Sequence, residues 1–220
     1  MEGNHIVLPP QFMGSTAYYA LIASASAVSI DEALPFDKRF KSIHRTQIDG
    51  ANGASFITVP VSKPESMSTA LWSDIKVSAH GGWWNEMLTA LHSAYGRTPF
   101  FEFYIDEFAP LLSAETPGMP ILELDRRIDQ LLRRLLQIDS EVTYITTSQE
   151  KSFKHPTAAV LKSAEESVTF VPYYQIRALK HGFQPNLSAA DLLFNMGPES
   201  PLILRRMADA FSPDILTQKQ

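Results

Sequence analysis

The first 31 residues carry a strand, a helix and a second strand in such close order that the two strands are expected to run parallel. Ile6, Val7 and Leu8 form a short apolar run, closed by Pro9 and Pro10, which have no backbone N–H to give. After loop residues 11–15 comes TAYYALIASA, helical by composition, with Ser15 or Thr16 placed to cap it. AVSID, ending at Asp31, reads as the second strand. Parallel strands need a crossover, and the helix supplies it. The expected fold is therefore α/β: a mixed or mainly parallel sheet with flanking helices, a Rossmann-like N-terminal part and a helical C-terminal part.

Further along, the hydrophobic period changes. Residues 36–48, FDKRFKSIHRTQI, are basic and resist assignment, and DGANGA at 49–54 is a turn by composition. SFITVPVS alternates Ile57, Val59 and Val61 with Thr58, Pro60 and Ser62. That is a strand with one buried face, which Pro60 confines to an edge or an end. DIKVS repeats the alternation with Ile75 and Val77. WWNEMLTALHSAY instead puts Trp84, Met87, Leu88, Leu91, Ala94 and Tyr95 on one helical face. Thr98 followed by Pro99 predicts the start of the next helix, striped by Phe101, Tyr104, Ile105, Phe108, Leu111 and Leu112. PILELDRRIDQLLRRLLQI is the strongest helix, with Ile121, Leu124, Ile128, Leu131, Leu132 and Leu135 on one face. Glu123 with Arg127, and Asp129 with Arg133, stand four apart in the favourable order. EVTYITTS returns to strand. Residues 148–167 are polar and expected to be mobile, and VTFVPYYQ reads as a last strand or an extended arm. One domain over residues 1–220 is expected, with 1–147 as the α/β core and 148–220 as an extension packed on it.

Charge and cysteine content exclude several classes. Nineteen Lys and Arg against 24 Asp and Glu give a net charge of -5, which offers no footprint for a nucleic-acid backbone. The absence of Cys removes disulfides, thiolate catalysis and Cys-ligated zinc. No His pair has zinc spacing, so no metal or other cofactor is expected. The N-terminus has no basic n-region, and no run approaches the ~18 apolar residues that span a bilayer. A cytoplasmic protein without membrane insertion is expected.

The stretch HGFQPNLSAADLLFNMGP, residues 181–198, reads first as a well-made helix. Ser188 and Asp191 fit the S-x-x-D capping box, and Gly197 and Pro198 end the helix. A Ser–His–Asp triad is disfavoured, since nothing here fits G-x-S-x-G. The same stretch resembles the C-terminal signature of the WbqC-like protein family, GF-x-PNLS-x-x-DLLFN-x-GP. Other segments agree in order: LPPQFMGSTAYYALIAS, FDKRFKSIHRTQIDGANGASFITVPVSKP, HGGWWNEMLTALHSAYGRTPFFEFYIDEFAP and YYQIRALKHGF. Two departures stand out. His44 replaces the usual Asn before the Arg matched to Arg45, and Met87 stands where a His is common. The resemblance implies, by association, a role in bacterial O-antigen or lipopolysaccharide synthesis, and no mechanism.

Ligands of open α/β sheets sit beyond the carboxyl ends of the strands, often against a helix N-terminus. That points to loop 9–15, with Gln11 and Gly14, and to Tyr19 opening the helix. Asp31 and Glu32 close the second strand; the plain alternative is a solvated acidic pair. Lys38, Arg39, Lys41, His44 and Arg45 follow closely and could neutralise a diphosphate, or simply pair with Asp31, Glu32 and Asp37. Asp31, Lys38 and Arg45 are the expected catalytic constellation, with His80 as a further general base. Gln11, Tyr19, Glu32, His44, Trp83 and Gln175 are the expected substrate contacts. For His80 the plain alternative is a polar loop residue, and for Trp83 core packing. The expected partner is a small anionic substrate. The expected activity is transfer from an activated phosphate-bearing precursor, a nucleotide sugar or an acyl donor; the alternative is a non-catalytic binding or assembly protein.

Overall fold

A computed structural model describes residues 5–64, 66, 68–147 and 155–210. Its centre is a three-stranded parallel sheet in the order β1 (His5–Leu8), β2 (Ala27–Asp31), β5 (Glu141–Ile145). Helix α1 (Thr16–Ser24) is the expected crossover, capped by Ser15, whose Oγ accepts the Tyr18 N–H. This helix is apolar all round because it is covered all round. Residues 16–22 are buried, and the helix packs on α5 (Ala158–Glu166), α7 (Ala189–Met196) and α8 (Ser200–Asp209). Burying side chains such as Leu21 and Ile22 contributes roughly 1.5–3 kcal/mol each. The mixed α/β architecture, with helices gathered toward the C-terminus, is as expected.

The unassigned basic stretch resolves into a short turn of 3-10 helix at Lys41–Ile43 and strand β3 (Arg45–Gly50). β3 pairs antiparallel with β4 (Gly53–Thr58), Gly50 opposite Gly53, so the predicted turn is the tip of a two-residue hairpin. This pair forms its own sheet, consistent with the edge character of Pro60.

The helical stripes lie where the spacing puts them. In α2 (Trp83–Tyr95) Met87, Leu91, Ala94 and Tyr95 are buried, with Trp84 and Leu88 half-buried. In α3 (Phe101–Phe108) Phe101, Ile105 and Phe108 are buried. In α4 (Ile121–Leu135) the whole predicted face is buried except for half-buried Leu135. Both i,i+4 pairs form, at 2.8 Å for Glu123 with Arg127 and 2.9 Å for Asp129 with Arg133.

Four local expectations are corrected and one is narrowed. DIKVS buries Ile75 and Val77 but forms only isolated bridges, Val61 to Val77 and Lys76 to Pro120. Pro60 and Pro120 in the flanking chains have no N–H, so a continuous ladder cannot form. Thr98 does not cap α3: its hydroxyl donates to Tyr95 O at 2.7 Å and finishes α2 instead. Residues 158–166 form α5, capped by the Thr157 side chain, rather than a mobile tract; residues 148–154 lie outside the described residues. VTFVPYYQ forms no strand, which leaves the arm reading, and Tyr173 and Gln175 within it are buried. Asp191 does not complete a capping box. The Ser188 N–H donates to Gln47 O at 2.8 Å, and the freed carboxyl accepts from Tyr173 Oη at 2.6 Å and Gln175 Nε2 at 3.0 Å.

Candidate functional site

Beyond the carboxyl edge of the sheet, loop 9–15 is held rigidly. Tyr18 Oη donates to Pro9 O at 2.9 Å, and the Phe12 N–H to Ser42 O at 2.8 Å. Met13 adopts a left-handed φ of 43°, and its carbonyl accepts from both Thr46 Oγ1 and Ser188 Oγ at 2.9 Å. Next to it, a Cβ on Gly14 would come within 2.8 Å of the Tyr18 ring, so only glycine fits.

The α1 N-terminus is not open to an anion. Thr16 N–H donates to Leu187 O at 2.9 Å, Ala17 N–H to Asn186 Oδ1 at 3.1 Å, and Tyr18 N–H to the Ser15 cap. The C-terminal segment occupies the position expected for a phosphate.

A cleft of about 460 Å³ opens beside this junction. Gln11, Ser15, Asn186 and Ser188 form one side, β3 with Phe40 and Ser42 another, and α5 a third. Among the described residues, Arg39, Lys41, Arg45 and Lys162 also line it, against one carboxylate, Glu165. Arg39 pairs with Asp37 at 2.6 Å and Lys162 with Glu166 at 3.7 Å. Among the described residues, Lys41 and Arg45 have no carboxylate within salt-bridge distance. The Arg45 guanidinium lies 3.6 Å from the centre of the Phe56 ring, which fixes its plane.

Glu165 Oε1 accepts from Ser15 Oγ at 2.7 Å and Gln11 Nε2 at 3.0 Å. Burial pushes its pKa above the usual carboxylate value, while the hydrogen bonds from Gln11, Ser15 and Asn186 oppose that shift.

The structure separates much of the expected constellation. Of Asp31, Lys38, Arg45 and His80, only Arg45 lines the cleft. Asp31 is fully buried; Oδ1 accepts the Ala33 N–H at 3.1 Å and Oδ2 lies 2.6 Å from His155 Nδ1. Lys38 is exposed. His80 is exposed in a short turn ahead of α2, its N–H on Ser78 Oγ.

Among the expected substrate contacts, Gln11 lines the cleft and the others do not. Glu32 is tied to Arg126 through Nε at 3.0 Å and through Nη2. His44 Nδ1 lies 3.2 Å from Val59 O, and burial lowers its pKa. Tyr19 is fully buried within α1. Trp83 is buried and donates to Ser78 O at 2.9 Å, which leaves no face for stacking. Gln175 is spent on Tyr173, Gln184 and Asp191.

Sequence reading missed Glu165, Lys162, Asn186 and His155. A signal for the first two was present: Thr157 precedes AAVLKSAE, with Leu161 and Ala164 at helical spacing. Among the described residues, no group of three or more His, Asp or Glu could hold a metal ion, and no helix is long and apolar enough to cross a membrane.

A parallel sheet, a small antiparallel sheet and helices gathered toward the C-terminus define a mixed α/β protein. Residues 10–167 match the WbqC-like protein family, and the chain belongs to that family. No curated protein and no solved structure matches it.

Proposed function

We propose that this protein is a transferase-type enzyme that binds an activated, phosphate-bearing precursor, such as a nucleotide sugar or an acyl donor, in the cleft beside β3 and α5. The observation that carries the reading is local charge. In a chain of net charge -5, four cations and a single carboxylate line this cleft among the described residues. Lys41 supplies a point charge, and Arg45, held flat on Phe56, supplies the planar fork that suits phosphate oxygens. Gln11, Ser15 and Asn186 gather around Glu165 and offer polar atoms for the uncharged part of the ligand. The family supports bacterial surface-polysaccharide or O-antigen synthesis as the setting.

Thermal-shift and calorimetric titrations with UDP, UDP-glucose, ATP and acetyl-CoA test this. Stabilisation by at least one is expected, weakening with salt and lost about tenfold in affinity in Arg45→Ala. If none binds at millimolar concentration, the reading fails. The commitment of Glu165 Oε1 to two donors favours a second reading, a binding protein without chemistry. Binding without turnover of any donor, over a panel of hydroxyl and amine acceptors, would favour it.

A further inference from the structure

We infer that the cleft holds the nucleoside of its ligand as well as the phosphate, with the base stacked on Phe56 and its edge hydrogen-bonded by the Gln47 amide. The inference rests on the reading of the cleft as a phosphate site, and names the chemical class that occupies it. Three side chains of the β3–β4 hairpin carry it: Arg45, Gln47 and Phe56.

The pleat of the hairpin brings them together. Arg45 and Gln47 stand two apart on β3 and therefore point to the same side of it, and Phe56 lies directly opposite Gln47 across the antiparallel pair. All three line the cleft. The Arg45 guanidinium covers one face of the Phe56 ring at 3.6 Å, yet Phe56 is still 55% exposed. A large apolar ring is thus left in water at the wall of a cation-lined cavity. Every nucleobase has a face that can cover such a ring, and stacking of this kind is a main source of affinity where nucleotides meet proteins.

The polar atoms beside the ring lack partners. Gln47 is half-buried, and its backbone carbonyl accepts the Ser188 N–H, but among the described residues its side-chain amide makes no hydrogen bond. Arg45 Nε is buried and, among the same residues, has no acceptor. The other cleft glutamine, Gln11, is by contrast committed to Glu165. Buried and half-buried polar groups are normally satisfied, so these two point to a ligand that satisfies them. An amide offers a donor and an acceptor side by side, and the edge of a nucleobase presents the complement.

The spacing suits a nucleoside phosphate. A base stacked on the uncovered ring surface lies ~3.5 Å from it, and so roughly 7 Å from the guanidinium on the other side. The ribose between base and phosphate bridges that gap. The phosphates then meet Arg45 and Lys41, neither of which has a carboxylate within salt-bridge distance among the described residues. A nucleotide sugar supplies this unit, and so does the adenosine end of a coenzyme A thioester. A sugar phosphate or acyl phosphate without a base would leave Phe56 and Gln47 idle.

Calorimetric affinities of the full chain for UDP, ADP and pyrophosphate test the base subsite. At least one nucleotide is expected to bind about tenfold more tightly than pyrophosphate. Phe56→Ala is expected to erase that preference and Phe56→Trp to keep it. Because Phe56→Ala also frees Arg45, the readout is the ratio of nucleotide to pyrophosphate affinity rather than either alone. Gln47→Met, which keeps the shape of the side chain and removes its hydrogen bonds, is expected to weaken the nucleotide about fivefold and leave pyrophosphate unchanged. Pyrophosphate bound as tightly as both nucleotides, or a preference that persists in Phe56→Ala, overturns the base subsite. The cleft reading survives either result as long as Arg45→Ala still weakens pyrophosphate. UDP, UDP-glucose, ATP, acetyl-CoA and pyrophosphate all failing to bind at millimolar concentration would remove the cleft reading and the base subsite with it.

Discussion

Replacing Asp191 with Asn should remove a pH dependence that a single buried carboxyl imposes on stability. Oδ2 of Asp191 accepts from Tyr173 Oη at 2.6 Å and Gln175 Nε2 at 3.0 Å, and Oδ1 from Asn195 Nδ2 at 3.2 Å. Burial nevertheless raises its pKa from 3.8 to about 6, against the opposing effect of hydrogen bonds from Tyr173, Gln175 and Tyr95. The folded protein thus holds this proton more tightly than the unfolded chain does. The contribution is fully present below about pH 4 and is lost as pH rises through about 6, the reverse of a salt-bridged carboxylate. At ~1.4 kcal/mol per pH unit, the loss comes to about 3 kcal/mol. Asn has the same shape and cannot ionise. At low pH the variant should be the less stable by about 1–2 kcal/mol, since its amide NH₂ must face the Asn195 NH₂. Asn195 cannot turn over without cost, because its Oδ1 takes the Ile176 N–H at 3.2 Å. As pH rises, the variant should draw level and then overtake the wild type. Urea melts at half-unit steps from pH 4 to 7.5 measure the difference. A gap between the two proteins that stays constant within ~0.5 kcal/mol over that range would refute the reasoning.

Other substitutions test the junctions around the cleft. Ser188→Ala removes the α7 cap and the donor to Met13 O, and should cost about 1–2 kcal/mol by urea unfolding. Gly197→Ala meets both a φ of 51° and Phe100 ring carbons 2.5 Å away, so a loss of roughly 2–4 kcal/mol is expected in the same assay. Arg126→Met leaves the Glu32 carboxylate buried without its partner; with Arg126 one-third exposed, the cost is expected near 2 kcal/mol and should change little with salt.

The periodic elements were legible because each buries its own stripe. Met87, Leu91 and Tyr95 on α2, and Leu124, Ile128 and Leu132 on α4, sit at spacings that only a helix can bury together. The parallel pair was legible from strand, helix and strand alone. The site was less so, because its residues meet through tertiary contacts that leave no local pattern. Arg45, the first residue of β3, reaches the cleft, while neighbouring His44, in the turn that ends the 3-10 helix, packs near Trp72. Asp191 had the spacing of a capping residue, but Gln47, remote in sequence, took the backbone N–H that the box requires. Glu165 was hidden by the polar composition of its surroundings, although its helix carried a cap and an apolar face.

The interlock of Gly14, Ser15 and Thr16 with residues 186–189 has a kinetic consequence. Leu187 O and Asn186 Oδ1 satisfy the first turn of α1, and the Ala189 N–H in turn bonds Gly14 O at 2.8 Å. On the ribosome, the opening strand and helix emerge long before the segment that completes them. Until Asn186 has been synthesised and has docked, the earliest helix has unpaired amides and the cleft lacks part of its floor. Maturation of this protein should therefore be a late, long-range event, with binding competence arriving only once the last fifth of the chain has joined the first.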